Sequence, residues 1–251
     1  MNNKNTIKKK KVIRERIFPR LWDPTYLLTN SNIKLFRWLI NCCLSNRVEL
    51  KVLDLGCGYK PFKIFFPDAK EYIGIDFSYE NGEPDILLDL NKDILPFSDD
   101  YFDLIIISET LEHLYDPKKV LSEAARVLKS GGFIYISTPF VFPQHGTPYD
   151  YYRYTEFFYK VSLEEYGLKI VKLQKATTFF GTLIFNFNLL MNLIGENLKI
   201  QFLTKPLIIV NNLTGICLDK IIDECFKIFY PKKREKLYYF PAGISLIAQK
   251  F

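Results

Sequence analysis

The stretch Val52-Leu53-Asp54-Leu55-Gly56-Cys57-Gly58 decides the fold of this 251-residue chain. Its apolar residues predict a buried strand that runs directly into a glycine turn. Glycine has no Cβ, so a turn built on Gly56 and Gly58 lets a ligand approach the backbone closely. The third glycine of the dinucleotide fingerprint is missing, because Lys60-Pro61 follows. This difference argues against NAD and its pyrophosphate.

Apolar runs alternate with amphipathic stretches from Lys51 to Pro139. Such alternation is typical of strands and helices that follow one another in an α/β sheet. One amphipathic stretch, Pro117 to Leu128, predicts a helix that Gly131 and Gly132 would stop. The strand candidates are Lys51 to Leu55, Tyr72 to Asp76, Asp85 to Leu88, Phe102 to Ser108 and Gly132 to Ser137.

Further elements flank this block on both sides. Ser31 to Leu44 has apolar residues at helical spacing and predicts a helix that caps the sheet. After the block, Thr155 to Tyr166 predicts a helix, whereas Leu168 to Gln174 and Gly243 to Lys250 predict strands. We expect these last two strands to pair antiparallel.

Residues 176–240 form an apolar insertion that a minimal nucleotide-binding sheet does not need. It predicts helices at Phe179 to Ile194 and at Pro206 to Phe229. The chain is therefore divided into a basic tail and capping helix (1–47), a ligand-binding core (48–175), the insertion (176–240) and a final strand of the core sheet (241–251).

The formal net charge of +6 is concentrated in residues 1–16, where basic side chains face only Glu15. A basic terminus is typically a solvated, mobile arm, and docking onto an anionic membrane or polymer is the alternative. Aromatic residues do not alternate with a basic stripe, so no nucleic-acid partner is expected.

The five cysteines form no C-x-x-C pair and do not cluster with the two histidines. Neither a metal site nor a disulfide framework is predicted, and free thiols suit a reducing cytoplasm. The apolar stretches near the N-terminus are short and interrupted by charge, so we expect no secretory signal. No stretch has the uninterrupted apolar length that a membrane-spanning helix needs.

Acidic residues follow the predicted strands at the positions where a ligand would lie. Asp76 ends the second strand, where its carboxylate can accept hydrogen bonds from ribose hydroxyls. Asp89 follows the third strand, and the run Leu95 to Asp103 leads into the fourth. Simpler interpretations remain for each: Asp54 as a cap of the following turn, Asp76 as a turn residue at the strand end, and Asp89 as a residue of a solvated loop.

These motifs together resemble the class I S-adenosylmethionine-dependent methyltransferase family, in its type-11-like branch. The resemblance covers residues 48 to 175 and implies a Rossmann-like α/β sheet of seven strands, the last antiparallel, with S-adenosylmethionine across the carboxyl ends of the first strands. The motifs are D-x-G-x-G at Asp54 to Gly58, G-x-D at Gly74 to Asp76, L-P-F-x-D-x-x-F-D at Leu95 to Asp103, S-E-x-L-E-H at Ser108 to His113, and R-V-L-K-x-G-G at Arg126 to Gly132.

The same resemblance implies a role for each cofactor-binding residue. Gly56 and Gly58 would let the backbone meet the methionine moiety, and Asp54 would orient its amino end through an intervening contact. Asp76 would hold the ribose. The remaining positions are Asp89 and Leu90 by the adenine, and Ser108 and Glu109 beneath the sulfonium.

The loop from Thr138 to Thr155 holds the candidate acceptor site. It resembles the P-F-x-x-P-x-H-x-x-P-x-D-Y-x-R-Y-T signature of methyltransferases of cell-envelope glycan and glycolipid assembly. That resemblance implies that His145 is the base and that Asp150 orients His145 or binds the acceptor. His113 is the second candidate base, or part of a lid. The acceptor pocket would be lined by His113, Tyr151, Arg153 and Tyr154.

Alternatives stay open on the acceptor side. Asp150 and Arg153 also fit a structural pair, with the tyrosines packing the loop onto the sheet. The insertion fits a membrane interface that presents a lipid-linked saccharide, and equally a helical lid or a homodimer interface. Rival functions are methylation of a quinone or other small apolar acceptor, and a non-catalytic module that binds a partner protein.

Overall fold

A seven-stranded sheet forms the centre of the protein, in the order β3-β2-β1-β4-β5-β7-β6. The computed structural model describes residues 3–80 and 82–251. Strands β1 to β5 run parallel, whereas β7 is antiparallel to both β5 and β6. This topology confirms the predicted sheet. The strands are β1 (Lys51–Leu55), β2 (Glu71–Asp76), β3 (Ile86–Leu87), β4 (Phe102–Ser108), β5 (Leu128–Pro139), β6 (Leu168–Lys175) and β7 (Gly243–Lys250).

Apolar side chains cover both faces of the central strands. In β4 the branched residues Ile105 and Ile107 pack into one core cluster, and Leu104 and Ile106 pack into the other. Alternate residues of a strand point to opposite faces, so a continuous apolar run indicates a strand buried on both sides. Because β1, β2, β4 and β5 run parallel, their carboxyl ends lie at one edge of the sheet.

Helices cover the two faces. Helices α3 (Pro117–Val127) and α4 (Glu156–Glu165) contribute Leu121 and Tyr159 to the first cluster. Helix α2 (Tyr26–Leu39), which continues as a π-helix over Ile40–Leu44, covers the second. There the Phe36 ring packs 4.6 Å from Phe62 and 5.0 Å from Tyr135.

The boundary between α3 and β5 differs from the prediction. The helix ends at Val127 rather than running on to the glycines, because Leu128 already pairs with Phe102 of β4. Gly131, with a φ of +76°, lies inside β5, where the register of the two strands shifts.

The basic N-terminus is a helix and not the expected mobile arm. Helix α1 (Asn3–Ile17) buries Ile17 completely and half-buries Val12, whereas Lys8, Lys10 and Lys11 are exposed. Lys9 Nζ also lies 2.5 Å from Glu83 Oε2, on the loop before β3. Burial of one apolar edge therefore holds a segment that its charge alone would leave in solvent.

The insertion forms an antiparallel hairpin of α5 (Phe179–Asn197) and α6 (Gln201–Phe229). Its buried positions are mostly small or polar, and they are Gly181, Thr182, Phe185, Asn188, Gly195, Thr204, Ile208, Asn212 and Gly215. Large apolar residues lie outside, such as Leu193 at 57% exposed and Phe202 at 73%.

Helix α5 differs from the expectation that no segment could span a membrane. Within this 19-residue helix, the most apolar window of 18 residues has a mean hydropathy of 1.2, and 28% of that window is buried. The asparagines that interrupt the run do not offset its leucines and phenylalanines. By length and composition alone, α5 is long and apolar enough to cross a bilayer.

Candidate functional site

The turn after β1 forms the floor of the site. Gly56 has a φ of +71°, and a Cβ placed there would lie 2.3 Å from Thr110 Oγ1. Gly58 also has a positive φ, of +50°. The chain can turn this tightly against the neighbouring loop only because both positions are glycine. The turn thus leaves a cradle of bare backbone at the end of β1.

Asp54 lies fully within the sheet, beneath this cradle. Its Oδ2 accepts a hydrogen bond of 2.6 Å from the Tyr72 hydroxyl of β2. Burial raises the pKa of Asp54 to about 7, and the Tyr72 hydrogen bond only partly opposes that rise. A cation bound near this carboxyl group would therefore favour its negatively charged form.

Asp76 lies at the end of β2, as predicted, and supports the glycine turn directly. Its Oδ2 accepts the Gly58 N–H at 2.9 Å, and its Oδ1 accepts the Phe77 N–H at 2.8 Å. Asp89 instead caps its own loop, through Asn91 N and through Lys92 at 3.0 Å. Neither Asp89 nor the buried Leu90 lines the two cavities described next.

Two adjoining cavities lie at this edge of the sheet. The glycine-turn cavity, of about 150 Å³, is lined by Asp54, Gly56 and Gly58. The histidine cavity, of about 340 Å³, is lined by His113 and His145. The residues that line both are Val12, Arg16, Phe62, Ser108 and Glu109.

Val12 and Arg16 are site residues that the sequence analysis missed. They belong to α1, and nothing in the charge pattern of the tail distinguished Arg16 from its neighbours. An amphipathic spacing of Val12 with Ile13 and Ile17 was the available signal. Helix α1 covers the two cavities, so it is part of the site rather than an appendage.

Glu109 lies where the two cavities meet. Its backbone has a φ of +52°, which is unfavourable for a residue with a Cβ, and such strain concentrates at functional sites. The Glu109 N–H donates to Ser137 O at 2.8 Å, and Oε1 accepts from Asn32 at 3.3 Å. Burial and then the nearby Glu112 carboxylate raise the pKa of Glu109 to about 7.

The loop after β5 carries His145 and Asp150. The His145 N–H donates to Asp150 Oδ2 at 3.0 Å, and His145 Nδ1 lies 3.2 Å from Pro143 O and 3.5 Å from the same carboxylate oxygen. Arg153 binds Asp150 through both guanidinium nitrogens, at 2.6 and 2.9 Å, and this lowers the pKa of Asp150 well below its ordinary range.

The two histidines meet beside Glu112, which the sequence analysis did not single out. The rings are 4.8 Å apart. Their Nε2 atoms lie 3.8 Å (His113) and 3.7 Å (His145) from Glu112 Oε1. The Glu112 carboxylate raises the pKa of His145, although burial of the ring acts in the opposite direction.

The other predicted acceptor residues support the loop instead of lining the described cavities. Tyr154 is buried and its hydroxyl donates to Leu111 O at 2.9 Å. Tyr151 donates its backbone N–H to Glu112 O at 2.8 Å. Arg153 pairs with Asp150 and also reaches the carbonyls of Phe142 and Pro143. Asp150 and Arg153 are therefore paired in the structure, which is one of the two arrangements that the sequence leaves open.

Comparison with known proteins bears directly on this site. Residues 53–136 match the family described as a methyltransferase domain. That range contains the end of β1 from Leu53 onward, the glycine turn, Asp76, Ser108, Glu109, Glu112 and His113. The chain carries an S-adenosylmethionine-dependent methyltransferase domain. S-adenosylmethionine is the cofactor that this domain implies.

Among curated proteins, similarity is confined to the core. The chain is 34% identical to an uncharacterised methyltransferase, YcgJ, of Bacillus subtilis, over 34% of this chain and 39% of that one. It is 31% identical to a ubiquinone biosynthesis O-methyltransferase of Thiobacillus denitrificans, over 47% and 57%. The chain thus spans less than two thirds of the length of either relative.

Solved structures agree with the fold. A putative sarcosine dimethylglycine methyltransferase from Galdieria sulphuraria superposes with a TM-score of 0.55 at 16% identity, covering 89% of this chain and 85% of the other. The identity is low, so this similarity concerns the fold and leaves the substrate open.

The residues present fit S-adenosylmethionine. Gly56 and Gly58 line the glycine-turn cavity with bare backbone, which is what close approach of a ligand requires. Asp76, at the end of β2, would be the acceptor for the ribose hydroxyls, although it does not line the glycine-turn cavity and its two oxygens already accept from Gly58 and Phe77. Asp54 would offer a buried carboxyl group to the amino end of the ligand, although Tyr72 already occupies one of its oxygens.

Proposed function

We propose that the protein transfers a methyl group from S-adenosylmethionine to an oxygen atom of a saccharide, with a lipid-linked glycan as the acceptor. The observation that carries this proposal is the pair of adjoining cavities, in which Ser108 and Glu109 face both the glycine turn and the histidines. A cofactor in one cavity and an acceptor in the other would meet at these two residues.

When bound, S-adenosylmethionine supplies an electrophilic methyl carbon, which forms a bond to the acceptor oxygen as its bond to sulfur breaks and sulfur keeps the electron pair. The chain must align the acceptor and take its hydroxyl proton. His145 faces the histidine cavity and Asp150 orients its backbone and ring. We assign His145 as the group that takes the proton.

The polar lining of the histidine cavity supports a saccharide acceptor. Thr25, Thr29 and Asn32 of the α2 region contribute hydroxyl and amide groups, and Glu15 and Arg16 contribute charge. Such groups match the hydroxyls of a sugar and an anionic neighbour such as a phosphate.

The hairpin of α5 and α6 supports a lipid-linked acceptor. Its helices pack through small and polar residues and leave leucines and phenylalanines outside, as helices do in lipid. Phe185 of α5 lies 5.7 Å from Phe142, whose ring is 4.9 Å from that of His145. The hairpin therefore leads from an apolar surface to the histidine cavity. We propose that it rests on the cytoplasmic face of a membrane, with the basic α1 assisting on anionic lipid.

A quinone is the second candidate acceptor. The curated relatives include a ubiquinone biosynthesis O-methyltransferase and a demethylmenaquinone methyltransferase. An apolar hairpin beside the cavity serves a prenylated ring as well as a lipid-linked sugar. A homodimer that buries the hairpin, and a non-catalytic module that binds a partner protein, are the remaining alternatives.

Calorimetric titration tests the cofactor part of this proposal. S-adenosylmethionine and its demethylated product should both bind the wild-type protein, and Asp76→Ala should weaken binding about 10- to 100-fold by loss of the ribose contact. Asp68→Ala, on the exposed loop before β2, is the matched control. Folded wild-type protein that binds neither ligand would favour the non-catalytic module. Methyl transfer to lipid-linked saccharides, compared with prenylated quinones, then separates the two acceptors.

Vesicle flotation tests the membrane part. Full-length protein should float with anionic vesicles, and the double change Phe202→Glu with Leu203→Glu should abolish flotation. Ile94→Glu is the matched control, since Ile94 is 69% exposed but lies outside the hairpin. Wild-type protein that stays with the soluble fraction, or that sediments as a stable dimer, would overturn the membrane assignment.

A further inference from the structure

The side chains of Glu112, His113 and His145 bring three acceptor atoms together without a donor between them. One ligand atom from each lies within 4.8 Å of the other two. The Glu112 side chain is fully buried, and neither of its carboxylate oxygens has a hydrogen-bond partner in residues 3–80 and 82–251. Burial of a carboxylate without a hydrogen-bond partner is unfavourable in free energy, and a bound cation would offset that cost.

The hydrogen bonds of the two rings fix which nitrogen is available. His113 Nδ1 lies 2.7 Å from Tyr149 O, and His145 Nδ1 lies 3.2 Å from Pro143 O. A carbonyl oxygen only accepts, so each Nδ1 carries the proton. In the neutral rings Nε2 therefore keeps its lone pair, and both lone pairs face the Glu112 side. This is the arrangement in which histidines bind metal ions.

The backbone holds the rings in place. Gly146 has a φ of +61°, and a Cβ there would lie 2.8 Å from Cε1 of His113. Only glycine lets the loop after β5 approach the His113 ring so closely. The first histidine comes from the short 3-10 helix Leu111–His113 and the second from that loop, so the fold itself brings the cluster together.

We propose that Glu112, His113 and His145 bind a divalent transition-metal ion of the zinc type. This inference rests on the proposed function and changes one role in it, because the ion would hold the acceptor oxygen and His145 would serve as a metal ligand and not as the group that takes the proton. Two atoms bonded to one such ion lie up to about 4.2 Å apart, given bonds of about 2.1 Å. The separations of 3.7 and 3.8 Å from Glu112 Oε1 meet this limit, and the two ring nitrogens, which lie within 4.8 Å of each other, would have to move closer by up to about 0.6 Å.

The ligand set also indicates the class of ion. Two imidazoles and one carboxylate suit zinc and its first-row neighbours, whereas magnesium and calcium prefer oxygen ligands. With three protein ligands, one coordination position stays open toward the histidine cavity. An acceptor hydroxyl bound there would have a lower pKa and could release its proton to water before methyl transfer.

Metal titration of the chain, purified without a histidine tag and treated with a chelator, tests the inference. Calorimetry with Zn²⁺ and the visible spectrum of bound Co²⁺ should report one ion per chain. His113→Ala, His145→Ala and Glu112→Gln should each weaken ion binding by at least about 10-fold while S-adenosylmethionine still binds. The double change Cys42→Ser with Cys43→Ser is the control for metal binding by this pair of neighbouring thiols. It should leave ion binding unchanged.

The outcomes separate this inference from the proposed function. Wild-type protein that binds S-adenosylmethionine but no ion, or that keeps its ion in both histidine variants, overturns the metal site and leaves the methyltransferase intact. Full methyl-transfer rates in chelator-treated protein also overturn it, and then His145 remains the base. Stoichiometric ion binding without cofactor binding upholds the site and counts against the proposed function.

Discussion

Nε2 of His145 lies 3.7 Å from Oε1 of Glu112, a carboxylate that is fully buried. The distance is too long for a direct hydrogen bond and short enough for strong electrostatic coupling. Glu112 belongs to the loop after β4 and His145 to the loop after β5. The pair therefore links the two loops that form the histidine cavity, and both proposed roles of His145 depend on it.

Replacement of His145 separates catalysis from cofactor binding. His145→Ala should abolish methyl transfer, because the acceptor oxygen loses the group that activates it, whether as base or as metal ligand. Affinity for S-adenosylmethionine should stay within about twofold, since the glycine-turn cavity does not include His145. Turnover and calorimetry measure the two effects. Gln144→Ala, at the exposed neighbouring position, should behave as wild type; normal turnover in His145→Ala would remove this residue from the mechanism.

Arg16 is expected to contribute to cofactor affinity. It is the guanidinium that lines the glycine-turn cavity, and S-adenosylmethionine carries a carboxylate. Arg16→Ala should weaken cofactor binding about 10-fold, in line with loss of one charge-assisted hydrogen bond. Lys11→Ala, whose side chain is 67% exposed on the same helix, is the matched control. Equal affinities in the two variants would show that α1 covers the site without binding the ligand.

The core of the fold could be predicted because its strands are short apolar runs with glycine and aspartate at their ends. The Asp54 to Gly58 stretch determines both a strand and a turn. Such local preferences do not depend on distant contacts, so the folded structure keeps them. β5 was the least accurate strand, because it begins at Leu128, which pairs with Phe102, and not at the predicted Gly132.

The remaining features depend on tertiary contacts. Helix α1 looked like a mobile arm because its lysines dominate its composition, and only the cavity shows where Val12 and Arg16 lie. Glu112 and His145 are 33 positions apart, as their numbers show. No local sequence pattern predicts that His113 and His145 both direct their Nε2 atoms toward the Glu112 carboxylate. The hairpin likewise buries small and polar residues and exposes large apolar ones, and this arrangement can be seen only when its two helices are packed together.

Asp54 gives the stability of the protein a specific pH dependence. Burial raises its pKa from 3.8 to about 7, so between these values the folded chain keeps a proton that the unfolded chain releases. This group therefore stabilises the fold least above pH 7, and its contribution falls by roughly 1.4 kcal/mol per pH unit as pH rises from about 4 to 7. Asp54→Asn should remove that slope from the free energy of unfolding, measured by denaturant titration. Asp68→Asn, at an exposed position, should retain it, and an unchanged slope in Asp54→Asn would contradict the assignment.

Asn212 should anchor the hairpin to the rest of the protein. Its side chain is fully buried, and Nδ2 donates to Leu21 O at 2.8 Å and to Asp23 O at 3.2 Å. Its Oδ1 accepts from Asn188 of α5 at 2.9 Å, so one amide joins α6, α5 and the segment before α2. Asn212→Ala leaves these groups buried without partners, which should cost at least about 2 kcal/mol and lower Tm by about 4–8 °C in a thermal melt. Asn197→Ala, which removes an exposed bond to Leu193 O, should change Tm little. Equal melting temperatures for the two variants would mean that apolar packing around Phe185, and not the amide network, holds the hairpin beside the histidine cavity.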